Sequence, residues 1–178
     1  MVGKKVIAPV TGPTDWTHPM VVAEKVDGSP RVCVDLTKLN RYVKRPLHPT
    51  RTPRDAIASI SGSARFFTTV DAVQGYHQIE LHPESQPLTT FITPWGRYMF
   101  LRGTMGLSAT GDEYCRRGDE AFGDLPNTVK VLDDVLQFDD DFASHVEGTR
   151  RLLQRCREAN ITLGLDKFFF ATMGLVGN

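Results

Sequence analysis

Long apolar runs are missing from this 178-residue chain. None approaches the ~18–20 residues that cross a bilayer as a helix, so a membrane-spanning protein is excluded as an expectation, and no membrane partner is anticipated. The basic start, Met1-Val2-Gly3-Lys4-Lys5, is followed by no apolar segment, which argues against a secretory signal. Cysteine is scarce as well. Cys33, Cys115 and Cys156 are odd in number and far apart, a pattern that fits reduced core thiols inside a cell and neither a disulfide framework nor a metal knot. Internal repeats and low-complexity tracts are also absent. Apolar residues make up 40% and charged residues 24%, the balance of an ordinary globular domain.

Net charge is zero too, which taken alone argues against a nucleic-acid partner. Its distribution argues the other way. Residues 1–70 hold 11 Lys/Arg against 5 Asp/Glu, and residues 71–178 hold 10 against 16. A basic half beside an acidic half suits a protein that grips a phosphate backbone with one and a metal ion with the other, although basic surface is also simply soluble surface.

The acidic half is where chemistry concentrates. Val129-Lys130-Val131-Leu132-Asp133-Asp134-Val135-Leu136-Gln137-Phe138 reads as strand, acidic turn, strand, and upstream Phe66-Phe67-Thr68-Thr69-Val70 ends on Asp71. Two strands delivering carboxylates to their ends can form an oxygen-rich pocket of the kind Mg²⁺ takes together with substrate phosphates, and such a pocket suits two-metal phosphoryl transfer. Asp is also a turn former in its own right, so a purely structural role stands beside that reading. Asp139-Asp140-Asp141 precedes a helical stretch and is read as capping.

Along the chain, the first ~20 residues carry turn formers and read as an extended lead-in. Met20–Lys25 and Arg31–Asp35 read as strands joined through Asp27-Gly28-Ser29-Pro30. Thr52-Pro53 opens a short helix to Ser61. Strands follow at Phe66–Asp71, Leu88–Thr93 and Arg97–Leu101, then a helix over Ala109–Phe122 whose charged residues form a solvated face. After the acidic hairpin, a helix over Phe142–Ala159 places Phe142, Val146, Thr149, Leu153 and Cys156 on one face. A last strand lies near Lys167–Phe170. The order implies an α+β fold: a split βαβ antiparallel sheet with helices on one face. His77 and His82 have no partner at metal spacing, and Trp16 and Trp95 read as packing residues.

Six segments in fixed order then resemble the reverse transcriptase domain of gypsy-type LTR retrotransposon polyproteins. They are Asp15-Trp16 through Val22; Asp27-Gly28 through Arg31-Val32-Cys33-Val34-Asp35-Leu36-Thr37-Lys38-Leu39-Asn40; Asp71-Ala72-Val73-Gln74-Gly75-Tyr76-His77-Gln78-Ile79; Leu88 through Tyr98; Met105-Gly106-Leu107-Ser108-Ala109; and Val131-Leu132-Asp133-Asp134. The resemblance implies a right-hand polymerase fingers–palm arrangement. Residues 1–65 would be fingers-like, and 66–178 the palm, with 88–101 inserted on the fingers side and with thumb and ribonuclease H absent.

It implies RNA-directed DNA polymerase activity, with two Mg²⁺ (or Mn²⁺ as substitute), deoxynucleoside triphosphates, a primed RNA or DNA template, and the rest of a Pol polyprotein as partners. An intracellular location follows, in a cytoplasmic particle or the nucleus. Asp71, Asp133 and Asp134 match the metal-binding aspartates, joined by the backbone carbonyl of Ala72. Arg31 and Lys25 match triphosphate contacts, Tyr76 the aromatic that excludes a 2′-hydroxyl, and Met105 and Gly106 the loop backing the nucleotide. Val131 and Leu132 match the primer-positioning part of the acidic box, with Val131 standing where most relatives carry Tyr. The rival expectation is a catalytically incomplete or domesticated retroelement remnant that binds nucleic acid or protein.

Overall fold

Alternating apolar residues in Val129–Phe138 close a two-residue hairpin between β7 (Thr128–Val131) and β8 (Asp134–Asp139). Strand β4 (Phe66–Asp71) pairs antiparallel with β8, and β9 (Phe169–Met173) pairs antiparallel with β4 on its other side. The result is a four-stranded antiparallel sheet in the order β7-β8-β4-β9. The computed structural model describes residues 1–24, 28 and 30–173, with Arg31 described in its backbone only. Two compact units divide the chain: residues 1–47 with 76–114, and 48–75 with 115–178. This division differs from the expected break at residue 65 and the expected insertion of 88–101.

The second unit holds the sheet β7-β8-β4-β9. Helix α2 (Pro53–Ala58) starts as expected, with a capping box between Thr52 and Asp55 and Pro at its first position. Helix α4 (Phe142–Glu158) begins at Asp141, whose carboxylate accepts from the Ser144 amide at 3.0 Å. Val70 of β4 and Val135 of β8, a cross-strand pair, pack with Ala121, Phe122, Leu152 and Cys156 of the long helices. Phe67, Phe138 and Val129 pack instead with Ala56 of α2. Leu152 is fully buried, which is worth about 1.5–3 kcal/mol for a side chain of that size.

The α4 face is shifted from expectation. His145, Gly148, Thr149, Leu152 and Cys156 are its buried residues, whereas Leu153 and Phe142 are exposed. The shift follows from His145, which turns inward onto a polar cluster that apolar periodicity could not foresee. Burial also pushes the Cys156 thiol up to about 11, as an inert core thiol requires.

In the first unit, the expected lead-in contains a strand. Its β1 (Ile7–Val10) pairs with β6 (Gly96–Phe100), which also pairs with β5 (Phe91–Thr93). Turn formers such as Pro9 hid it, because Pro is tolerated on a sheet edge. A second ribbon joins β2 (Met20–Glu24) to β3 (Pro30–Val34), and the short helix α1 (Thr37–Asn40) follows. Val6, Val34, Leu36, Leu39, Phe91 and Phe100 form this unit's core. Trp16 packs there, stacked on His18, but Trp95 is 82% exposed and is no packing residue. Asp112, expected on a solvated face, is buried and receives a bidentate pair from Arg45 at 2.9 and 3.0 Å. Helix α3 (Ser108–Phe122) starts in the first unit and ends in the second. Among the described residues no helix is long and apolar enough to cross a membrane.

Candidate active site

Register brings the acids together. The Val70–Val135 pair is pinned in the core, so the next residue on β4 and the preceding residue on β8, Asp71 and Asp134, stand directly opposite each other. A one-residue slip would turn both strands' apolar sets to the wrong face, which is why the register is strongly specified. Asp133 lies in the two-residue turn with Leu132, between Val131 and its partner Asp134. Leu132 has φ 52°, the left-handed region at the first turn position where hairpins usually place glycine. For a leucine that conformation costs about 1–2 kcal/mol.

Electrostatics record the crowding. Partial burial, then the charges of Asp71 and Asp134, push the Asp133 carboxyl above the ordinary Asp range, against the pull of Lys130 and Lys167. Asp133 still reaches solvent, so burial is an incomplete cause, and the facing charges are the part a cation would cancel. Lys167 donates to Asp71 Oδ2 at 2.8 Å. The hydrogen bond and charge of Asp71 hold the Lys167 ammonium above its usual range, with Asp134 and Asp166 adding to the effect. Lys130 is nearly buried in β7, with its ammonium 3.8 Å from Asp119. Neither lysine stood out in the sequence: Lys130 sits inside an apolar strand, and nothing in the spacing around Lys167 marks it.

Among the described residues no group of three or more His, Cys, Asp or Glu side chains is gathered closely enough to hold a metal ion. The chemistry of the expected set still suits a hard divalent cation: its donors would all be oxygens, three of them carboxylates whose repulsion such an ion would relieve. Ala72, whose carbonyl is the expected fourth oxygen, follows Asp71 directly at the end of β4. Its bridge to Leu163 uses the Asp71 carbonyl, which accepts from Gly164 N at 2.9 Å, and the Val73 amide, which donates to Thr162 O at 3.0 Å. The Ala72 carbonyl lies outside that pair of bonds.

The remaining expected residues belong to the first unit. Tyr76 lies in a 3-10 turn, its ring edge-on to Tyr114 with centroids 5.5 Å apart. Met105 is half exposed. The Gly106 carbonyl accepts from Asn40 Nδ2 at 2.6 Å, while Asn40 Oδ1 accepts from the Ser108 amide at 2.9 Å. Asn40 thus clamps the loop carrying Met105 and Gly106, a role that sequence reasoning missed because its partners lie more than sixty residues away. Arg31 lies in β3, and Lys25 falls outside the described residues. His77 bonds the Gly103 carbonyl through Nδ1 at 2.9 Å, a structural contact as expected.

Comparison with known proteins bears on this arrangement. Residues 23–174 match the family described as reverse transcriptase (RNA-dependent DNA polymerase). The Retrovirus-related Pol polyprotein from transposon 297 of Drosophila melanogaster is 32% identical over 169 residues, covering 92% of this chain and 15% of that protein. The corresponding polyprotein from transposon opus of the same fly is 29% identical over 157 residues, covering 87% of this chain and 16% of its own length. The chain therefore spans only a small part of these relatives. Among solved structures, the foamy viral protease-reverse transcriptase in complex with dsDNA superposes with a TM-score of 0.90 at 15% identity, over 99% of this chain and 36% of that one. The same protein in complex with RNA/DNA hybrid gives 0.86 at 15% identity, over 95% and 22%. The fold is thus the α+β fingers–palm fold of these polymerases. With the matched segment running through β4, the acidic hairpin and all of β9, the chain belongs to the reverse transcriptase family.

Proposed function

We propose that this chain carries the nucleotidyl-transfer centre of an RNA-directed DNA polymerase that adds deoxynucleotides to a primer 3′-hydroxyl. The observation that carries the reading is the register placing Asp71 opposite Asp134 with Asp133 in the adjoining turn. The unit with these acids is read as the palm, and the unit with β2 and β3 as the fingers side. Asp71 and Asp133 would hold two divalent ions, Mg²⁺ or Mn²⁺, with Asp134 and the Ala72 carbonyl completing the oxygen set. When bound, such ions supply Lewis-acid activation of the attacking oxygen and charge neutralisation at the departing pyrophosphate.

The chain's own residues do the positioning. Arg31, with its guanidinium fork, and Lys25 bind the triphosphate. Tyr76 leaves no room for a 2′-hydroxyl, the group that separates ribo- from deoxynucleotides. Met105 and Gly106 back the nucleotide with apolar contact and a loop fixed by Asn40. Val131 and Leu132 orient the primer end. A primed RNA template, deoxynucleoside triphosphates and the rest of a Pol polyprotein would be its partners, in an intracellular particle or nucleus.

The test is primer extension on an RNA template with deoxynucleotides and Mg²⁺ or Mn²⁺, at low salt because phosphate contacts weaken steeply with ionic strength. Asp133→Asn should lower extension on the order of 10²–10³-fold, the scale of losing one preorganised electrostatic group. Undiminished extension by that variant would overturn the reading.

A further inference from the structure

Lys167 is held against Asp71 by more than chance contact. Its ammonium lies 2.8 Å from Asp71 Oδ2, and the Asp71 side chain is only 18% exposed. Two backbone attachments aim it. On one side of Lys167, Thr162 O and Gly164 N bond the Val73 amide and the Asp71 carbonyl at 3.0 and 2.9 Å. On the other side, Thr69 of β4 pairs with Phe169 of β9. The 3-10 turn Leu165–Lys167 is thereby slung between two points on the very strand that ends in Asp71.

We propose that Lys167 is a built-in counter-ion, occupying the cation's place on Asp71 and giving way when a divalent ion binds. The proposal rests on the reading of Asp71, Asp133 and Asp134 as a metal site. Three carboxylates with one ammonium leave a smaller negative charge than three carboxylates alone, so the fold tolerates the cluster without a metal. An ammonium is a single charge on a flexible four-carbon stem, and this one is 56% exposed. It can swing into water without disturbing the sheet, and a divalent ion outcompetes it by charge. The lysine then sets the threshold ion concentration at which the site fills.

Mn²⁺ binding to the 178-residue chain, followed through the electron paramagnetic resonance signal of free Mn²⁺, tests this. Lys167→Gln and Lys167→Met should bind Mn²⁺ about three- to tenfold more tightly than wild type, the scale of removing one nearby competing charge. Lys167→Arg, which keeps the charge, should stay near wild type, and Asp133→Asn should weaken binding in every background. Replacement by Gln or Met lowers the melting temperature in EDTA on either reading, but a merely structural lysine would leave Mn²⁺ affinity unchanged or weaker. That result, with binding still sensitive to Asp133→Asn, overturns the proposal and spares the metal site. Binding that is absent, or indifferent to Asp133→Asn, overturns the metal-site reading and the counter-ion with it.

Discussion

Strand β8 begins at Asp134 and ends at Asp139, and the two acids live in opposite surroundings. Asp134 is exposed, faces Asp71 across the ladder and adjoins Asp133, so like charges crowd together at that end. Asp139 is buried and fully engaged: its Oδ2 accepts from His145 Nδ1 and Gln137 Nε2, both at 2.9 Å, and its Oδ1 from Asn127 Nδ2 at 2.9 Å. The network extends to Thr68, whose hydroxyl meets His145 Nε2 at 2.7 Å and accepts from the Ala171 amide at 3.2 Å. A single pair of neighbouring strands thus stores electrostatic conflict at one end and satisfaction at the other. Polar groups that satisfy one another hold a fold together, and polar groups that repel await a ligand.

The contrast breaks most visibly at the satisfied end. Asp139→Ala should cost about 3–5 kcal/mol in urea denaturation, because it leaves His145 and Gln137 buried without their shared acceptor. Loss of less than about 1 kcal/mol would show that the network is not a source of stability. Next is Gly148→Ala on α4. A methyl group there would meet Gln137 Nε2 at 2.5 Å and Asp139 Oδ2 at 3.2 Å, which should destabilise by about 1–3 kcal/mol in the same assay.

At the conflicted end the expected sign reverses. Leu132→Gly should raise stability by about 0.5–1 kcal/mol in EDTA, since glycine relieves the positive φ of the turn more than it loosens the unfolded chain. The smallest effect is the pH response of Asp133. Its folded-state carboxyl titrates above its unfolded one, so its contribution to stability is present below the ordinary Asp value near 4. That contribution fades as pH rises through the raised folded value. Urea midpoints measured in EDTA across that window should fall with rising pH more in wild type than in Asp133→Asn; parallel curves would remove the conflict from the comparison.

The conflicted end was the legible one. Acids at strand ends beside alternating apolar residues announce a hairpin, and the register sets Asp71 opposite Asp134 with Asp133 in the turn; the pattern left a turn-forming role open, and the family resemblance supplied the metal-binding one. The satisfied end was misread. Asp139 was grouped with Asp140 and Asp141 as a capping run, and only Asp141 caps α4. Nothing local distinguishes the three, because Asp139 is defined by His145 a turn and a half later and by Asn127 across the hairpin. The same long-range logic hid the Asn40 clamp, moved the buried face of α4 from Leu153 to Leu152, and left Lys167 inside an expected strand rather than at a carboxylate. Periodicity reports which residues are apolar. It is silent on polar residues that go inward for each other's sake.

Gly118, on α3, carries a consequence of a different kind. A side chain there would fall onto the Cε and Cδ of Lys130, the buried lysine whose charge reaches Asp133. Those atoms are the far end of a flexible side chain, so a methyl group at 118 would turn the Lys130 ammonium aside, and with it the charge that reaches Asp133. The bare backbone at Gly118 is what lets this lysine lie where it does.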